Sequence, residues 1–88
     1  MDIEMSISRM RLLNDGKVMC FFDLAYGELV LKGFKLVNGA NGVFVSFPRE
    51  QSKDGKWWDT VICSNPHLTK RIEEMAMEEY RKQKGLVK

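Results

Sequence analysis

Long apolar runs are missing from this chain: no stretch approaches the roughly 20 residues that a membrane-spanning helix requires. The start, Met1-Asp2-Ile3-Glu4, lacks the basic residues and apolar segment of a secretory signal, so the expected compartment is the cytoplasm. Histidine is nearly absent. The one present, His67, has no serine or cysteine spaced around it as an evident nucleophile, and the chain is read as having no enzyme activity and no small-molecule substrate. One histidine and two dispersed cysteines do not make a tetrahedral metal site, so no metal or other cofactor is expected. Cys20 and Cys63 lack CxxC spacing and lie in apolar, strand-like segments, which reads as two reduced core thiols. A dominant charge is lacking too. Fourteen basic against twelve acidic residues leave +2, too little to mark a nucleic-acid protein by itself.

What is present suits one small globular domain over residues 1–88. A chain this short buries only about 60% of its unfolded surface, so its core is thin and oligomerisation is a natural way to complete it. Ile3, Met5 and Ile7 alternate with polar residues, then the phase slips near Ser8-Arg9, the mark of a strand with a bulge. Asn14-Asp15-Gly16 supplies a tight turn, and Val18–Phe22 is apolar on both faces. After a turn at Tyr26-Gly27, a third strand runs from Glu28 to Val37 with a break at Lys32-Gly33. Asn38–Gly42 turns the chain into a short strand, Val43–Phe47, stopped by Pro48. Residues 48–56 read as a polar loop and Trp57–Cys63 as a last strand. Asn65 as N-cap and Pro66 in the first turn start a helix with Leu68, Ile72, Met75, Ala76 and Tyr80 on one face. Gly85 stands where a glycine stop belongs. The expected fold is α+β: a small antiparallel sheet of about four to five strands closed by one C-terminal helix.

Met19 and Phe21 alternate with Val18, Cys20 and Phe22, so both faces of that strand need cover, and one helix covers one face. Met19 and Phe21 are thus assigned to the core or to a symmetric homodimer interface. Gly39-Ala40-Asn41-Gly42 lies between strands, as a hairpin turn rather than a phosphate cradle. Glu73-Glu74 and Glu78-Glu79 read as a solvated helix face.

Charge is unevenly placed. Residues 1–48 hold five basic and five acidic residues, residues 49–59 three of each, and residues 60–88 six against four. In the loop, Arg49, Lys53 and Lys56 bracket a turn beside Trp57-Trp58, and cations next to aromatics suit phosphates and bases. Against this, Glu50 and Asp54 neutralise much of the loop, and consecutive strand residues face opposite ways, which puts one tryptophan in the core. Lys70 and Arg71 are basic near a helix N-terminus, where the dipole disfavours cations, and the first free N–H groups after Pro66 can hold a phosphate.

The run Phe34-Lys35-Leu36-Val37-Asn38-Gly39-Ala40-Asn41-Gly42-Val43-Phe44-Val45-Ser46-Phe47-Pro48 resembles the central signature of the SpoVG septation-protein family, where a glycine turn leads into "G-L-F-V-x-M-P". Asp54-Gly55 and Asp59 match that family's "D-G-x-x-x-D" continuation, Asp15-Gly16-Lys17 resembles its "D-G-R" hairpin, and Asn65 and Ile72 match its helix. The resemblance implies a small bacterial regulator linked to septation and sporulation, without enzyme activity, that dimerises and binds DNA and RNA. The chain departs from the pattern at three places. Arg49, Glu50 and Gln51 stand where the family has serine and two basic residues. Ile62-Cys63 replaces an "H-P" pair, and Thr69 takes the place of a helix arginine. The cations assigned to nucleic acid are therefore Arg49, Lys53, Lys56, Lys70 and Arg71. The rival reading is a dimeric protein-interaction module that does not bind nucleic acid.

Overall fold

A computed structural model describes residues 3–86. Its elements are β1 (Met5–Asp15), β2 (Val18–Tyr26), β3 (Leu29–Gly39), β4 (Gly42–Ser46), β5 (Arg49–Gln51), β6 (Trp57–Asp59) and α1 (Pro66–Leu86). Strands β1 to β4 form an antiparallel meander in sequence order, and β5 pairs with β6 in a separate two-stranded ribbon. The fold is α+β, with one helix on one face of the main sheet.

Four register shifts shape that sheet: three bulges, and a slip between Leu12 and Asp15 beside the β1–β2 turn. Ser8 has no partner between Ile7, opposite Leu24, and Arg9, opposite Asp23, where the apolar alternation slips. On β3, Lys32 and Gly33 together oppose Asp23, and Gly33 takes a φ of +99°, which a side chain tolerates poorly. The third bulge was not legible. Val18 faces Val37 and Cys20 faces Leu36, so Met19 is the extra residue and the alternation through Val18–Phe22 is broken there. Met19 accordingly packs against the core, while Phe21 stays on the opposite face.

The core lies between the sheet and α1. Cys20, Phe22 and Leu24 of β2, Phe34 and Leu36 of β3, and Val45 of β4 meet Ile72 and Ala76 of the helix. At its centre the Phe34 ring stacks on Phe22, with centroids 5.2 Å apart, and is tilted against Phe47 at 5.1 Å. The helix packs mainly over β1, and less extensively on β3 and β4.

Asn65 caps α1 as its sequence position requires. Its side-chain oxygen accepts the His67 N–H at 3.0 Å, and its carbonyl accepts the N–H groups of Leu68 and Thr69. Asn65→Ala should cost about 1 kcal/mol in denaturant unfolding, and an unchanged midpoint would refute the capping role. The same bond closes the phosphate position expected after Pro66, because the cap side chain occupies the N–H of His67. At the other end the helix passes through Gly85 to Leu86 without a positive φ, so Gly85 is not the stop its position suggested.

Residues 48–56 are not a plain loop. Pairing of Arg49 with Asp59, Glu50 with Trp58 and Gln51 with Trp57 makes them half of a hairpin. The last strand is correspondingly shorter than expected, ending at Asp59 rather than Cys63.

The chain is under-buried for its size. Its accessible surface is 6911 Å², against about 5,300 Å² for a compact monomer of equal mass. The radius of gyration is 13.5 Å, where about 12 Å is usual. Part of the excess lies on the exposed β5–β6 ribbon and part on the core side. The helix leaves a groove of about 280 Å³ open beside it, lined by Tyr26, Leu31, Phe47, Val61, Ile62 and Leu68 among others. Ile62 at its rim is 78% exposed.

Candidate nucleic-acid interface

The β5–β6 hairpin gathers three of the five predicted cations. Its tip, residues 52–56, is held by hydrogen bonds from the Ser52 N–H to the Lys56 carbonyl (2.8 Å) and from the Gly55 N–H to the Ser52 carbonyl (3.0 Å). The Ser52 hydroxyl donates to the Asp54 carboxylate, which also accepts the Lys56 N–H, and together they hold that carboxyl below the ordinary aspartate range. Asp54 therefore stays ionised but is turned onto its own backbone. Lys53 and Lys56 project from this rigid tip, exposed and without an ion-pair partner among the described residues.

Arg49 is differently placed. Its Nε lies 3.3 Å from Asp59 Oδ1, and its guanidinium sits 5.9 Å from the Trp57 ring centroid. Such an exposed pair contributes little stability, but it fixes the arginine over the indole. Trp57 and Trp58 are 57% and 46% exposed, so neither is the core residue expected of one of them. The strand alternation holds, but the ribbon packs on no second layer, and both of its faces meet solvent.

Lys70 and Arg71 are exposed on the first turns of α1, a separate element from the hairpin. Arg71 borders a shallow cleft with Ile3, Glu4, Met5 and Ser6. The sequence assigned these two and the hairpin cations to one surface; they stand on two elements, the hairpin and α1. Lys84, farther along the helix, is engaged locally, with its Nζ 5.5 Å from the Tyr80 ring centroid. Arg9, Arg11 and Lys35 were not singled out from sequence, and the strand pairing places them on the sheet face away from the helix.

The profile of the SpoVG family matches residues 1–82. The chain belongs to the SpoVG family. Over 71 residues it is 31% identical to a protein of Symbiobacterium thermophilum named "Putative septation protein SpoVG", a match covering 80% of this chain and 51% of that protein. The chain thus spans about half the length of that relative. Proteins of the same name from Caldanaerobacter subterraneus subsp. tengcongensis and Clostridium perfringens are 28% and 26% identical over 78 and 73 residues. Those matches cover 86% of both chains in the first case, and 82% of this chain and 81% of the relative in the second.

In this SpoVG-family chain the two thiols have different settings. Cys20 is fully buried, and burial pushes its pKa up to about 11, although a backbone hydrogen bond at Leu36 pulls the other way. Cys63 lies past the end of β6 rather than in a core strand, half-buried, its thiol donating to the Asn65 carbonyl at 3.2 Å. A thiol reagent at pH 8 should therefore label Cys63 in the native protein and Cys20 only on unfolding. Because the folded-state value of Cys20 is raised, its contribution to stability is intact below the ordinary thiol value of 9.0 and fades as pH rises toward about 11. Prompt native labelling of both thiols, or flat stability across that window, would contradict this environment.

Proposed function

We propose that this SpoVG-family chain is a bacterial regulator of septation and sporulation that binds DNA or RNA in the cytoplasm as a homodimer and catalyses no reaction. The observation that carries the reading is the hairpin tip. Lys53 and Lys56 have no ion-pair partner among the described residues, and stand close in sequence to an arginine held over an exposed indole. Phosphates take unpaired cations and bases take open ring faces, and the hairpin offers both. Lys70 and Arg71 add a second basic group on the helix, and a two-fold axis doubles every such group.

The surface excess supports the dimer. About 1,600 Å² beyond the compact value exceeds the roughly 800 Å² that each partner contributes to a standard interface. The groove around Tyr26, Phe47, Val61 and Ile62 is where a second copy finishes the core. Of the two residues assigned to core or dimer, Met19 already packs within its own protomer, so the proposal rests the interface on the groove.

The rival protein-interaction reading draws on one observation, that the Arg49–Asp59 pair and Asp54 offset much of the hairpin charge. Binding to a random-sequence pool of DNA and RNA at about 50 and 200 mM salt separates the two. Several phosphate contacts per dimer predict a loss of affinity of roughly a hundredfold or more over that range. If the protein binds neither pool at low salt, the protein-interaction reading takes its place.

A further inference from the structure

Among the described residues, no layer covers the sheet face turned away from α1, and its side chains are not those of an ordinary solvated face. Strand register sets one row straight across the sheet: Arg11 opposite Phe21, Phe21 opposite Lys35, Lys35 opposite Ser46. The Lys35 Nζ lies 5.6 Å from the Phe21 ring centroid, and that ring is 39% exposed. Beside this row Arg9 faces Asp23, and on the other side Val37 faces Phe44, 47% exposed. The Phe44 ring lies over Gly39, where a Cβ would come within 2.9 Å of it, so the missing side chain gives the ring a place flat against the strand.

From this we infer that the uncovered sheet face is a platform for single-stranded nucleic acid, with Phe21 and Phe44 stacking on bases while Arg9, Arg11 and Lys35 hold the backbone. The inference rests on the nucleic-acid reading above and adds a second surface to it, with a preference for unpaired strands. Charge decides the occupant. The paired positions of this face carry three cations, Arg9, Arg11 and Lys35, against two carboxylates, Asp23 opposite Arg9 and Asp15 opposite Val18 at the end of the sheet. A second copy packed face to face would set cations against cations, whereas a polyanion neutralises them. The open rings narrow the choice further. A duplex hides its base faces in the stack, while an unpaired strand presents them, and ring–base stacking is indifferent to sequence. The groove assigned to the dimer lies on the opposite, helix-bearing side, so the two surfaces do not compete.

The test uses fluorescein-labelled dT12 and U12 single strands and a random 20-base-pair duplex, with four proteins: wild type, Phe21→Leu/Phe44→Leu, Arg11→Gln/Lys35→Gln and Lys53→Ala/Lys56→Ala. Leucine keeps the apolar character and removes the ring. The Phe21→Leu/Phe44→Leu protein should bind single strands on the order of a hundredfold more weakly, about tenfold per ring, and bind duplex nearly as wild type does. Arg11→Gln/Lys35→Gln should weaken single-strand binding and flatten its salt slope by about 0.7 for each phosphate the variant no longer neutralises. Lys53→Ala/Lys56→Ala should weaken both ligands. Circular dichroism and light scattering check folding and assembly, and the charge variant, which leaves both rings in place, carries the test if the ring variant misfolds. If both the ring and charge variants bind single strands like wild type, or wild type binds duplex but no single strand, the platform is wrong while the nucleic-acid reading stands. If wild type binds neither ligand at low salt, both fall. If Phe21→Leu/Phe44→Leu turns a dimer into a monomer, the face belongs to a second copy and the platform is overturned.

Discussion

Phe34→Ala should remove about 3–5 kcal/mol of stability. An 88-residue domain has only about 4–13 kcal/mol to lose. Phe34 is fully buried and touches aromatic rings on two sides, Phe22 and Phe47, at the point where β2, β3 and the end of β4 converge. Only nine apolar side chains, Pro48 among them, are buried among the described residues, so few neighbours can collapse into the space left behind. Guanidinium unfolding at fixed protomer concentration measures the effect, since association couples stability to concentration. A loss below about 1 kcal/mol would mean that the core is centred elsewhere.

Ile62→Asp should separate the proposed dimer without unfolding the protomer. Ile62 stands at the groove rim, largely exposed in one copy, so the substitution should change protomer stability by no more than about 0.5 kcal/mol. In a two-fold interface the same patch is used twice. Even about 2 kcal/mol for each buried, unpaired carboxylate weakens association roughly a thousandfold. Sedimentation at tens of micromolar should show wild-type dimer and mutant monomer. A wild-type monomer at that concentration, or a mutant that dimerises equally well, would rule out the groove as the interface.

Local signals carried most of the fold. The Ser8 and Gly33 bulges were legible because apolar phase slips by one residue at each, and the helix start because Asn65-Pro66 is both cap and first turn. Met19 was not legible, because an extra apolar residue within an all-apolar run leaves no phase to read. The hairpin was half legible. Its Asp-Gly turn was plain, but Arg49–Gln51 carry no apolar alternation, and strand pairing there depends on Trp57–Asp59. The tryptophans misled for a related reason: burial needs a second layer, and period-2 alternation says nothing about whether one exists. Arg9, Arg11 and Lys35 were missed because they lie far apart in sequence, and only the strand register brings them together. Lys53 and Lys56, three residues apart across one turn, needed no such information.

The most direct test of the central claim is the salt dependence of duplex binding by wild type and by Lys53→Ala/Lys56→Ala. Each phosphate contact contributes about −0.9 to the log–log slope. Loss of two lysines from one hairpin, or four from both, should therefore flatten the slope by roughly 2 to 4 and weaken binding alike on all sequences. A double variant with the slope and affinity of wild type would contradict the nucleic-acid role of the hairpin, and so would wild-type binding that does not change with salt.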